Sequence, residues 1–133
     1  MQKELIGVVC FYYLYIIYLM FFMFFRRKKR IQEGVVRTSH FRAYVGDSSE
    51  ELVIIQNHFN NQFQIPVMFM LAVIFTLQQG NASTTAFVFS IVFVISRIAH
   101  SYVHLTYNNV IHRALCYFIG VVSVLILFVL NLF

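Results

Sequence analysis

Acidic residues are scarce in this chain. It has five Asp and Glu in 133 residues, and none falls within its long apolar stretches. A proton-coupled transporter usually needs an intramembrane carboxylate, so this absence argues against that class. Charge of either sign is thin, at 11% of residues, where a soluble domain carries about 25%. With 60% hydrophobic and 18% aromatic residues, the composition excludes an ordinary soluble globule and belongs in a bilayer. Cysteine is nearly absent. Cys10 and Cys116 both lie in apolar surroundings, with no spacing that suggests a disulfide framework or a zinc site, and they read as small buried hydrophobes. No repeat or low-complexity tract divides the chain, and its length suits one domain over 1–133.

What charge there is sits in few places. The net charge of +5 raises the question of nucleic acid, but half of the ten basic residues form one run, Arg26-Arg27-Lys28-Lys29-Arg30, directly after an apolar segment. Lys and Arg mark the inward-facing ends of membrane spans, so the run reads as an orientation signal and nucleic acid is not an expected partner. Leu5 to Phe25 carries no charge and rises about 31 Å at 1.5 Å per residue, the thickness of a hydrocarbon core. The basic run follows this segment and no small-residue cleavage site appears, so it reads as a first span and not as a signal peptide. Four tyrosines lie within it (Tyr12, Tyr13, Tyr15, Tyr18). Their hydroxyls need partners away from lipid, so part of the helix should pack on neighbours.

A polar connection over Ile31–Asp47 leads to Ser48-Ser49-Glu50-Glu51, where Ser48 and Glu51 have capping-box spacing. The second helix is expected over 52–78. Its apolar part, Pro66 to Leu77, rises only about 18 Å, too short to cross. Asn57, His58, Asn60, Asn61, Gln62 and Gln64 must therefore lie in the membrane too. Asn57, Asn61 and Gln64 follow i, i+4, i+7 and form one stripe. Unpartnered amides in lipid cost several kcal/mol each, so the stripe should face other helices or a wet pocket. Pro66, the only proline, frees the carbonyl of Gln62 and should kink the helix there.

A short turn around Gly80-Asn81 precedes a third helix over 84–104, and a fourth is expected over 110–133 with Asn108 or Asn109 as its cap. Arg97 and Arg113 are the only Lys or Arg beyond position 42. Arg97, His100, Ser101 and His104 share one helical face, as do Arg113 and Tyr117. Charge so close to apolar sequence should face protein or water. His100 and His104 have the i, i+4 spacing of a metal pair, but no nearby Cys or acid completes a ligand set, so no metal is expected. The whole reads as an all-α, four-span bundle with both termini on the non-cytoplasmic side and its polar stripes in the inner half. The implied pocket is cationic and open to cytoplasm and bilayer together. It suits an anionic polar molecule that meets a lipophilic one.

These residues carry a resemblance. NQFQIP at Asn61 to Pro66, RIAHSYVH at Arg97 to His104, and NNVIHR at Asn108 to Arg113 resemble the MAPEG family, membrane-associated proteins of eicosanoid and glutathione metabolism, and in particular its small bacterial inner-membrane members. The resemblance implies a homotrimer of four-helix subunits binding glutathione between subunits on the cytoplasmic side. It implies that Arg113 stabilises the glutathione thiolate with Tyr117 beside it, and that Asn61, Gln64, Arg97, His100 and His104 contribute to binding. Gln64 stands where the family usually has a glutamate for the glutathione amine, and a neutral amide is the weaker partner. A first-helix arginine of the site could be Arg26 or Arg27. The expected function is a glutathione-dependent transferase or peroxidase acting on lipophilic electrophiles. The alternatives are a non-catalytic membrane protein that binds a lipophilic ligand or a partner, and a structural membrane protein with polar interhelical contacts.

Overall fold

A computed structural model describes residues 1–43 and 49–132 of the chain, and all regular structure among them is helical. The elements are α1 (Gln2–Gln32), α2 (His40–Ala43), α3 (Glu50–Asn60), a 3-10 turn (Asn61–Phe63), α4 (Ile65–Gln78), α5 (Thr84–Leu105) and α6 (Val110–Leu130). Among the described residues, four segments are long and apolar enough to cross a membrane: Gln2–Gln32, Glu50–Gln78, Thr84–Leu105 and Val110–Leu130. Large apolar side chains such as Leu14, Phe25, Ile95 and Leu125 are exposed along these segments. Such a surface is unstable in water and natural against acyl chains.

α1 has 31 residues and is about 46 Å long. It outruns a hydrocarbon core by several turns, and its surplus end carries the basic run. There Arg26 Nη1 donates to Glu51 Oε1 at 3.0 Å, and Arg30 Nε donates to Glu51 Oε2 at 2.8 Å. Arg27 donates to the side-chain oxygen of Gln56. These contacts tie the end of α1 to the beginning of α3 and set the two antiparallel. Glu51 and both its arginines are partly exposed, so the ties fix register more than they add stability. Ser48, the expected cap of α3, lies outside the described residues. Ser49 holds the N-cap, its Oγ accepting from Leu52 N.

The second span is broken, not merely bent. Pro66 lacks an N–H, and its ring would meet the carbonyl of Gln62 in a continuous helix. The chain answers with the tighter 3-10 turn over Asn61–Phe63 and leaves the helical range at Gln64 (φ −103°, ψ −103°). Because the turn is tighter, it redirects the side chains of 61–64 relative to a straight helix. At the far end of α4, Gly80 takes φ +73°, and Gly80 N and Asn81 N bond back to Leu77 O and Thr76 O, the glycine-terminated helix end that only a residue without Cβ adopts freely.

The core sits where α1, α4 and α5 meet. Tyr12 lies against Phe69 and Phe93, with ring centroids 6.1 and 5.5 Å away, and the two phenylalanines stack at 4.1 Å. The Tyr12 hydroxyl donates to Gln62 Oε1 at 2.7 Å. Of the other three tyrosines, Tyr13 and Tyr18 are exposed. Ser90, Ser101, Ser123 and Thr76 each donate to the carbonyl four residues earlier at 2.8–2.9 Å, which lets hydroxyls lie buried in an apolar bundle. α5 and α6 approach closely at Gly120, where a Cβ would meet Ser96 Oγ at 2.9 Å. Gly120→Val should therefore force the two helices apart and cost about 1–3 kcal/mol, read as a lower unfolding temperature in detergent. Ser96→Ala in the same chain should recover part of the loss, and a Gly120→Val protein as stable as the parent would show that the approach is not tight.

Candidate functional site

At the end of the bundle that holds the basic run, α3, α5 and α6 leave a cavity of about 430 Å³, lined by Asn57, Asn61, His100, His104, Arg113, Ala114, Tyr117 and Phe118. Local sequence positions each contributor. Asn109 caps α6, its Oδ1 accepting from Ile111 N at 3.0 Å and His112 N at 3.1 Å. Asn108 takes a left-handed conformation (φ +46°), one that asparagine tolerates better than most residues. Its Oδ1 accepts from Arg113 Nη1 at 2.9 Å. The same nitrogen lies 3.5 Å from both ring nitrogens of His104. The turn between α5 and α6 thus both starts the helix and aims its arginine.

Arg97 is more unusual. Its side chain is fully buried, and Nε and Nη1 have no hydrogen-bond partner. Nη2 reaches Asn61 O at 3.5 Å, and the guanidinium lies 5.5 Å from the Tyr117 ring. None of the ion pairs among the described residues includes Arg97 or Arg113. A buried cation without an anion is costly, and the cost falls when an anion binds nearby.

Three histidine rings gather beside the cavity. His58 stacks on His100 at 5.7 Å and meets His104 edge-on at 5.3 Å, and His100 and His104 are 5.6 Å apart. Gln62 Nε2 donates to His58 O at 3.2 Å and lies 3.3 Å from His58 Nε2. Since Gln62 Oε1 already accepts from Tyr12, its amide nitrogen faces the ring. That makes Nε2 the acceptor and leaves the proton on Nδ1, an assignment from the network. His58 Nδ1 and His100 Nδ1 are buried and unpartnered. The described residues contain no group of three or more His, Cys, Asp or Glu arranged to hold a metal ion. Two guanidiniums beside the rings also make the place hostile to a cation.

Of the residues singled out from sequence, the fold brings Asn61, His100, His104, Arg113 and Tyr117 to one cavity, with Asn57 beside them. Arg97 sits behind Tyr117 and does not line it. Gln64 is exposed and outside the cavity, because the break at this residue turns it off the face of Asn57 and Asn61. Neither Arg26 nor Arg27 lines the cavity; they engage Glu51 and Gln56. His58 and Gln62 join this region from outside the residues expected from sequence. Their i, i+4 spacing was available as a signal, but it is one position round the helix from the asparagine stripe, and sequence does not say which stripe faces the bundle.

One family model matches the chain, that of the MAPEG family, over residues 5–133. No curated protein matches, and no solved structure does.

Proposed function

The chain belongs to the MAPEG family, and on that premise we propose that this integral membrane protein is a glutathione-dependent transferase or peroxidase acting on lipophilic electrophiles. One observation carries the reading: a cavity between membrane-spanning helices holds the Arg113 guanidinium among Asn57, Asn61, His100, His104 and Tyr117, with the buried Arg97 cation behind it and no carboxylate of the described residues on its walls. Such a site favours an anion. Glutathione, when bound, supplies the thiolate nucleophile. The residues fit that group's anionic parts: Arg113 for the thiolate, Asn57, Asn61 and His100 for carboxylate or peptide groups. A free thiol has a pKa near 8.5, and each unit of depression takes about 1.4 kcal/mol of preference for the thiolate. Arg113, oriented by Asn108 and His104, is suited to supply one to two units. Phe118 and the surrounding lipid-facing surface offer the apolar side on which an electrophile arrives. The test is glutathione affinity of the detergent-purified protein, measured beside turnover of a chlorodinitroarene and of an organic hydroperoxide. Binding without turnover would leave the non-catalytic reading.

The proposed assembly is a homotrimer. Its support is the exposure of Asn57, Asn60 and Gln64 within a membrane-spanning segment, where amides facing lipid cost several kcal/mol each. A neighbouring copy would cover them and wall the cavity. Cysteines placed at 57, 61 and 64 should resist a lipid-restricted thiol reagent, and strong labelling there would remove both the cover and the pocket. The proposed orientation puts both termini on the non-cytoplasmic side of an inner membrane, since the basic run at the end of α1 dominates insertion. Reporter fusions at residue 45 and at the carboxyl terminus should report opposite sides. The same side for both would overturn the orientation.

A further inference from the structure

Two of the rings on the cavity wall rest on a third that is hidden behind it. His58 is 2% exposed and does not line the cavity. Its ring lies 5.7 Å from that of His100, within 23° of parallel, and 5.3 Å from that of His104, at 73°. Two lines of contact lead on from there. His100 is 6.0 Å from the Tyr117 ring, and both ring nitrogens of His104 are 3.5 Å from Arg113 Nη1. His58 thus stands one residue behind Arg113, assigned above to the thiolate, and one residue behind the Tyr117 beside it.

The torsion that turns an imidazole about its Cβ–Cγ bond is broad, so intrinsic preference leaves the ring plane loosely set. His100 Nδ1 has no hydrogen-bond partner among the described residues, and the contacts of His104 with Arg113 are long for hydrogen bonds. Ring packing must then set both planes, and it holds them only as firmly as the ring behind is held. His58 is held firmly. Gln62 Nε2 lies 3.3 Å from His58 Nε2 and donates to His58 O at 3.2 Å, while Gln62 Oε1 accepts from the Tyr12 hydroxyl on α1 at 2.7 Å. We propose that His58 is a positioning residue: from behind the wall it sets the planes of His100 and His104 and, through them, places Tyr117 and Arg113 for the thiolate. The inference rests on the reading of the cavity as a thiol site and adds a residue which that reading does not use. Every contact it invokes lies within one copy of the chain, so it is independent of what covers the open side of the cavity. Its importance follows from scale, since a misplacement of about 1 Å at a reacting group can cost about a hundredfold in rate.

The experiment compares three variants of the full-length protein in detergent, with glutathione and a chlorodinitroarene as probes. His58→Leu fills much of the space without a ring plane. His58→Asn keeps a polar partner for Gln62 and also lacks the ring. Either should lower kcat about tenfold while the KM for glutathione stays within about threefold, because alignment suffers more than binding. The ultraviolet thiolate absorbance of bound glutathione should fall with kcat. His58→Phe keeps the ring and loses the nitrogens. It should recover kcat and the thiolate signal to within about threefold of the parent, even though its unfolding temperature falls with the lost Gln62 contact. Either ring-less variant suffices if the other does not fold. A ring-less variant with kcat and thiolate signal within about twofold of the parent would overturn the inference and leave the thiol-site reading standing. So would losses that follow unfolding temperature across the three variants and not the presence of a ring. A parent protein that binds no glutathione, or binds it without a thiolate signal, would overturn the reading and the inference together.

Discussion

Replacing Arg113 by lysine should lower turnover about ten- to a hundredfold while leaving the helices and their assembly intact, the counterpart of one to two units of thiolate stabilisation. Lysine reaches the membrane surface as well as arginine does, so an arginine that merely snorkels would be replaced without loss. The geometry argues for a more demanding role. Arg113 Nη1 is engaged by Asn108 Oδ1 at 2.9 Å and held 3.5 Å from the His104 ring, while the rest of the planar fork stays available on the cavity wall. One ammonium cannot satisfy the turn and present a second donor in a fixed direction. The ultraviolet absorbance of bound thiolate should fall in parallel with turnover. Asn108→Ala should produce a smaller loss of the same kind, because it frees the arginine without removing its charge. An Arg113→Lys protein with full turnover and an unchanged thiolate signal would sink the mechanism.

Gln62→Leu should be the most destabilising single change near the site, costing about 2–4 kcal/mol. It orphans two buried groups, the Tyr12 hydroxyl and His58 Nε2, at about 1–3 kcal/mol each. Both Gln62 and Tyr12 are fully buried, so water cannot replace the lost partner. The pairwise coupling of interhelical hydrogen bonds in membranes averages only about 0.6 kcal/mol, so most of the cost here comes from leaving one partner buried and unpaired. This predicts an asymmetry. Tyr12→Phe together with Gln62→Leu should be more stable than Gln62→Leu alone by about 1–2 kcal/mol, since the orphaned hydroxyl is gone. Thermal unfolding in detergent of the two single variants and the double one measures the coupling. If Gln62→Leu unfolds at the parent's temperature, the Tyr12–Gln62 pair does not hold α1 to the second span.

Much of the architecture was legible because it follows from one-dimensional physics. The lengths of the apolar runs, the basic run after Phe25, the turn at Gly80-Asn81 and the caps around Asn109 all depend on neighbours in sequence, and each is where composition and spacing put it. The shared face of Arg97, His100 and His104 on α5 is likewise a property of helical periodicity alone. The second span shows where that reasoning ends. A single proline announces a disturbance, but whether the helix kinks or breaks depends on what the displaced residues can bond to. Here Gln62 finds Tyr12 on α1, and the chain breaks into a 3-10 turn before Gln64. That choice rotates Gln64 out of the cavity, a result that no spacing rule contains.

The sequence by itself determined that this chain is an all-helical membrane protein of four apolar spans, that most of its cations sit at one end, and which family it belongs to, because hydropathy, charge and motif are written locally. Only the tertiary structure decided which of two adjacent stripes along α3 and the following 3-10 turn faces inward. It buried His58 and Gln62 and left Asn57 on the cavity wall, since the inward face is set by what α1 and α5 present to it. The tertiary structure also left Arg97 buried without an anion among the described residues, a condition that depends on the side chains within reach and that no single helix records.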